Sequence, residues 1–134
     1  MKQQPEYQLQ KAFARWLELK HPDVLFFSDA AAHVAKTVNQ QIRANVLSKA
    51  GEKQPDMFIA HPSNGKAGLF IEFKSVCPFK VDGVTLKKNA HNEAQLETIK
   101  RLRERGYNAA FAWSFDMAIN ITEIHLGNRP WQKM

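Results

Sequence analysis

The chain reads as an α/β domain in which helices flank a central mixed sheet, in the order α-β-α-β-β-α-β-α. Three observations predict it. Stretches with helical spacing alternate with short apolar runs of strand length. Two of those runs bracket HPSNGKA at residues 61–67, whose Pro, Asn and Gly are turn formers. Charged Asp56, Glu72 and Lys74 interrupt the same two runs, where a charge is costly unless paired, solvated or coordinating.

The elements follow in chain order. Pro5 suits the first turn of a helix, where its missing N–H does no harm. Leu9, Phe13, Trp16 and Leu17 then form one apolar stripe, and His21-Pro22 ends it. Val24 to Phe27 is a short apolar run that predicts the first strand. Val34, Val38, Ile42 and Val46 recur at four-residue spacing before Gly51, which predicts a second helix over about 35 to 50. Asp56–Ala60 and Gly68–Lys74 are the two strands around the turn. Residues 75–89, SVCPFKVDGVTLKKN, lack a clear period and are expected to form a functional loop or flap that can hold a short hairpin. His91–Arg105 is helical again, with Leu96, Ile99 and Leu102 apolar and Gly106 at its end. Asn108–Ser114 predicts the last strand. Asp116 is expected to cap a final helix holding Ala118, Ile119, Ile121, Ile124 and Leu126. Residues 127–134, GNRPWQKM, are expected to be a loose tail, and 1–134 a single domain.

Composition narrows the function. With 44% hydrophobic and 24% charged residues in 134, the chain is expected to be an ordinary soluble domain. No run of about 18 apolar residues occurs, so a membrane span is not expected. MKQQPEYQLQ lacks the apolar centre of a secretory signal, and the lone Cys77 allows no internal disulfide. A cytoplasmic location is the expectation. The five histidines show no zinc-ligand spacing, and no Gly-rich phosphate loop occurs. Cys77 reads as a small packed hydrophobe and His61 as a surface loop residue; Ser28 and Asp29 read as a cap or turn before a DNA contact. A net charge of +6 permits phosphate binding. Lys36, Arg43, Lys49 and Lys53 precede the charged strands, while Lys80, Lys87 and Lys88 follow them. These are candidate phosphate contacts, although a solvated face explains any one of them as well. A second basic run, Lys100, Arg101, Arg103 and Arg105, lies in the following helix.

An antiparallel hairpin centred on Asn64 pairs Ala60 with Gly68 and Asp56 with Glu72. Opposed Cβ atoms then lie about 4.5–5.5 Å apart, and Lys74 falls on the same face as Glu72. Two such carboxylates repel unless a cation sits between them. A hard divalent ion suits the pair: Mg²⁺ takes one or two carboxylates and keeps waters for chemistry. The competing reading makes Glu72 and Lys74 a solvated strand end and Asp56 a turn residue after Pro55.

These residues carry a resemblance. PD at 55–56 followed by EFK at 72–74 resembles the PD-(D/E)xK nuclease motif, and the surround is more specific. EYQLQKAFARWL, LSKAGEKQPDMFIA, GLFIEFKS and NEAQLETIKRLRERGYNAAFAWS are similar to the VRR-NUC family, the virus-type replication and repair nucleases, over about residues 6–126. The resemblance implies a restriction-endonuclease-like core and Mg²⁺- or Mn²⁺-dependent cleavage of DNA. It makes Asp56 and Glu72 the metal acids, Lys74 the catalytic lysine and Gln95 the glutamine of the next helix. Glu6 becomes an acid near the metal, and the Phe73 carbonyl a backbone ligand. Gln54 stands where the family commonly has glycine. The family's stand-alone members imply a homodimer cutting branched DNA such as four-way junctions, in a bacterial or phage-encoded setting of replication, recombination or repair. The residues add support of their own. Glu6 lies three before Leu9, on the buried face of the first helix, where dipole stabilisation is an equal explanation. Gln95 lies four before Ile99, so its amide points toward the sheet and needs partners; a satisfied rim position is the alternative. A non-catalytic DNA-binding or assembly module on the same fold is the competing function.

Overall fold

In the computed structural model, residues 5–29, 37–47, 53–83, 85–87 and 89–128 are described. The elements are α1 (Pro5–Lys20), β1 (Phe26–Ser28), α2 (Val38–Val46), β2 (Met57–Ile59), β3 (Leu69–Phe73), α3 (Ala90–Glu104), β4 (Asn108–Ala112) and α4 (Phe115–His125). This is the order expected from sequence. Four strands form one sheet in the order β1-β2-β3-β4. The β1/β2 and β2/β3 pairs are antiparallel, and β3/β4 is parallel across the α3 connection.

Strand alternation divides the core into two layers. Met57, Ile59, Leu69, Ile71 and Phe73 turn to one face and pack with Phe13 and Leu17 of α1 and Ala118 of α4. Each large side chain buried there contributes roughly 1.5–3 kcal/mol. Phe70, Ala109 and Phe111 turn the other way, under Leu96, Ile99 and Leu102 of α3. Glu72, the polar side chain of β3, shares this second face and lies beneath α3, which positions the site.

The expected strand register is the observed one: Met57 pairs Ile71, Phe58 pairs Phe70 and Ile59 pairs Leu69. The turn itself is offset from it. Asn64 and Gly65 take positive φ, +52° and +78°, and Ser63 bridges Lys66, so the tip is centred between Asn64 and Gly65. Three residues, 60–62, then face two, 67–68, and one strand absorbs an extra residue. Gly68 is required below the tip, because a Cβ there would stand 2.6 Å from the Phe58 ring and 2.9 Å from the Ile59 carbonyl. In the loop after β3, the bridge between Phe79 and Leu86 makes the short hairpin.

Three expectations change. Ser114, not Asp116, caps α4: its Oγ accepts from the Met117 N–H at 3.1 Å. Asp116 is already inside the first turn, where its charge faces the helix dipole but cannot close the cap. α2 forms over Val38–Val46, with residues 37 and 47 outside it and the expected residues 35, 36 and 48–50 outside the described residues; Val38, Ile42 and Val46 of its apolar stripe are all more than half exposed. The first strand begins two residues later than expected, at Phe26. The expected tail beyond residue 128 lies outside the described residues.

Candidate active site

Asp56 precedes β2 by one residue, and continuing the register sets it opposite Glu72. The two are tied through each other's backbone. The Asp56 N–H donates to Glu72 Oε2 at 3.0 Å, and Asp56 Oδ2 accepts from the Phe73 N–H at 2.8 Å. The Asp56 carbonyl in turn accepts from the Asp29 N–H at 3.0 Å and from the Gln10 amide at 3.3 Å. Elements α1, β3 and the segment after β1 thus converge on one residue.

Glu72 is the buried acid, only 7% exposed. Its second oxygen accepts from the Gln95 amide, which projects from α3. Burial, then the Asp56 carboxylate, push the Glu72 pKa from 4.5 up to about 8; the Asp56 N–H and Lys74 oppose the shift and Glu6 adds to it. The Gln95 Nε2 also lies 3.0 Å from His91 Nε2, while its Oε1 is buried without a hydrogen-bond partner among the described residues. The His91 pKa is lowered by burial and by the charges of Lys74 and Lys53.

Lys74 makes no ion pair with Glu72 among the described residues. Its Nζ donates to Asn92 Oδ1 at 2.9 Å and stands 5.8 Å from the Phe111 ring centroid. The Asn89 side chain caps α3 by accepting from the N–H groups of His91 and Asn92, which fixes the turn that carries both. An open cleft of about 490 Å³ begins here, lined by Glu6, Lys74, Cys77, Lys87, His91 and Asn92 among others.

A solved structure titled "VRR_NUC domain protein" is similar to this chain, with a TM-score of 0.63 and 18% sequence identity over 98% of this chain and 96% of that one. The chain shares that protein's fold. No protein-family model and no curated protein matches the sequence.

The sequence resemblance carries the expectation of a divalent cation, and the donors can be tested against one. Among the described residues no three His, Cys, Asp or Glu side chains close into a complete metal shell. What the chain offers is two carboxylates, one from the residue before β2 and one from β3, each bonded to a backbone N–H across the pair, with the buried one loaded by the other's charge and next to an amide oxygen lacking a partner among the described residues. Oxygen donors in that number suit Mg²⁺ or Mn²⁺, which retain waters, and do not suit zinc.

Of the other residues singled out from sequence, Glu6 lines the cleft and its charge reaches Glu72. Lys87 lines the cleft, Lys53 is close enough to act on His91, and Lys80 is exposed on the adjoining hairpin. Arg43 sits in the last turn of α2. Lys36, Lys49 and Lys88 lie outside the described residues. Sequence reasoning missed Gln10, His91 and Asn92. Gln10 is buried at 6% exposure on the face of Phe13 and Leu17, where a polar residue within an apolar stripe was its signal. His91 and Asn92 lie one turn before Gln95, and that spacing was theirs.

Proposed function

We propose that this chain is a divalent-metal-dependent endonuclease that hydrolyses DNA phosphodiester bonds. The observation that carries the reading is the convergence of Asp56, Glu72, Lys74 and Gln95 beneath the N-terminal turns of α3, within a fold shared with a VRR_NUC domain protein. The Asp56 and Glu72 carboxylates and the Phe73 carbonyl are the oxygens that would hold Mg²⁺ or Mn²⁺, with Glu6 adding negative charge. Such an ion supplies positive charge to a phosphate and acidifies a bound water.

The chain's own groups do the rest. Gln95 and the Asp56 N–H each take one oxygen of Glu72 and fix the orientation of its carboxylate. Lys74 gives one N–H to Asn92 and keeps two for a phosphate oxygen and the charge that develops on it. Lys87, Lys80 and Lys53 draw the DNA backbone in without reading its sequence. Arg43, Lys36, Lys49 and Lys88 are assigned the same duty.

Branched DNA is the proposed substrate and a homodimer the proposed assembly, because two copies set two sites on two strands of one junction. Leu25 and Phe27 at the β1 edge, with Val38, Ile42, Val46 and Leu47 on and after α2, are each more than half exposed and supply an apolar surface for such pairing. Among the described residues no helix is long and apolar enough to cross a membrane, and a cytoplasmic setting is part of the proposal.

The test compares wild type with Asp56→Ala on plasmid, flap and four-way-junction DNA in Mg²⁺ or Mn²⁺, after sedimentation has established the assembly state. Wild type is expected to cut, branched DNA fastest, and Asp56→Ala to be slower by at least about a hundredfold, the size of losing one transition-state contact. Equal cutting by both proteins would sink the reading, and salt-sensitive DNA binding without cleavage would favour a binding module.

A further inference from the structure

The proposed role of Lys74 leaves its conformation to be explained. A lysine ammonium is a compact charge on a flexible four-carbon stem, with about 2 kcal/mol of rotamer entropy to lose on being held. Glu72 is two residues away on the same face of β3 and feels the Lys74 charge. Left to itself, the ammonium would collapse onto that carboxylate. It would then neutralise an acid meant for a cation and withdraw its donors from the phosphate.

The structure keeps the two apart. Lys74 makes no ion pair with Glu72 among the described residues; its ammonium is drawn to Asn92 Oδ1 at 2.9 Å and stands over the Phe111 ring. Asn92 is held in turn from its backbone, because its N–H donates to the capping Asn89 side chain at 3.3 Å. Both Lys74 and Asn92 line the cleft. Asn92 has the right chemistry for this duty: its amide oxygen accepts an N–H and carries no charge, so it holds the ammonium without neutralising it. An aspartate there would bind the ammonium more tightly and cancel its charge.

We infer that Asn92 is a positioning residue that holds the Lys74 ammonium off Glu72 and presents its two remaining N–H groups to the cleft, where a phosphate oxygen of the substrate binds. The inference rests on the nuclease reading for its consequence, but not for its geometry.

Two measurements test it. Single-turnover cleavage is compared for wild type, Asn92→Ala, Lys74→Met and the double variant, with DNA affinity measured in Ca²⁺. Asn92→Ala is expected to slow the bond-breaking step about tenfold, with affinity unchanged within about twofold, and to have no further effect when Lys74 is already Met. Asn92→Asp, which keeps the acceptor, is expected to slow cleavage as well. An unaltered rate in Asn92→Ala, or an equal loss in the Lys74→Met background, overturns the inference, because a merely structural asparagine acts whether or not the lysine is present. The second measurement needs no activity. The Lys74 ammonium resonance is expected to be protected from exchange in wild type and broadened in Asn92→Ala, with circular dichroism showing both folded. If wild type does not cleave but this difference is seen, the nuclease reading falls and the positioning stands; if the ammonium is unprotected in wild type, the positioning falls.

Discussion

The β2–β3 hairpin buries polar groups at both of its ends, and the two ends treat them in opposite ways. At the tip, His125 of α4 is 2% exposed and uses both ring nitrogens. Nε2 lies 2.7 Å from the His61 carbonyl, which makes it the donor, and Nδ1 accepts from the Asn108 amide at 2.8 Å. The Asn64 amide reaches the Ile124 and His125 carbonyls at 3.4 Å. Both His125 nitrogens are partnered, although the Thr122 Oγ1 one turn earlier in α4 is buried without a partner among the described residues. At the other end, Glu72 is buried beside a second carboxylate with its pKa pushed up to about 8, and the Gln95 Oε1 has no partner among the described residues. A closed polar network tightens a fold; a buried acid pressed by a second carboxylate costs it stability.

Breaking the closed end should give the larger loss of stability. His125→Leu leaves the His61 carbonyl and the Asn108 amide without their partner, and is expected to cost about 2–4 kcal/mol in chemical denaturation. The wild-type network also has a pH signature. Burial, first of all, lowers the His125 pKa below its ordinary 6.5. The fold thus favours the neutral ring, and this contribution is present above pH 6.5 and lost as pH falls through the folded value. An unchanged denaturation midpoint in His125→Leu would remove the contrast.

At the open end the sign reverses. Because folding raises the Glu72 pKa from 4.5 to about 8, the fold favours the protonated acid. That contribution is complete below pH 4.5 and lost as pH rises through about 8. With metal removed by EDTA, Glu72→Gln is expected to be more stable than wild type by about 1–3 kcal/mol above pH 8 and to flatten that part of the pH profile. A destabilised Glu72→Gln under these conditions would mean that the carboxylate is already compensated within the chain.

The smallest effect concerns neither end and calibrates both. Ser114→Ala is expected to cost about 1 kcal/mol through its lost cap, and Asp116→Asn no more than about 0.5 kcal/mol through the dipole. Thermal melts of the two variants check the order.

What could be read from the sequence follows from how local each determinant is. The Asp56–Glu72 pairing was legible because strand alternation and one short turn determine it, and an error of one residue at the tip did not reach the strands. Asp116 misled because a charge near a helix start looks like a cap, whereas the end of β4 at Ala112 leaves Ser114 in the capping position. The periodicity of α2 was real, but periodicity reports an amphipathic helix and not what covers it. Gln10 and Asn92 stayed hidden because their partners, the Asp56 carbonyl and the Lys74 ammonium, are 46 and 18 residues away in the chain.

The one-residue offset between tip and strands separates two jobs within one hairpin. The tip is held by the Asn64-Gly65 turn and by α4, while the carboxylate pair is held by Met57–Ile59 against Leu69–Ile71. Residues 60–62 take up the extra residue between the two, and are themselves tied by the Ala60 N–H to the Leu25 carbonyl and by the His61 carbonyl to His125. The mismatch is thus absorbed above the Ile59–Leu69 pair, and the spacing of the two acids depends on the strand ladder and not on the shape of the turn.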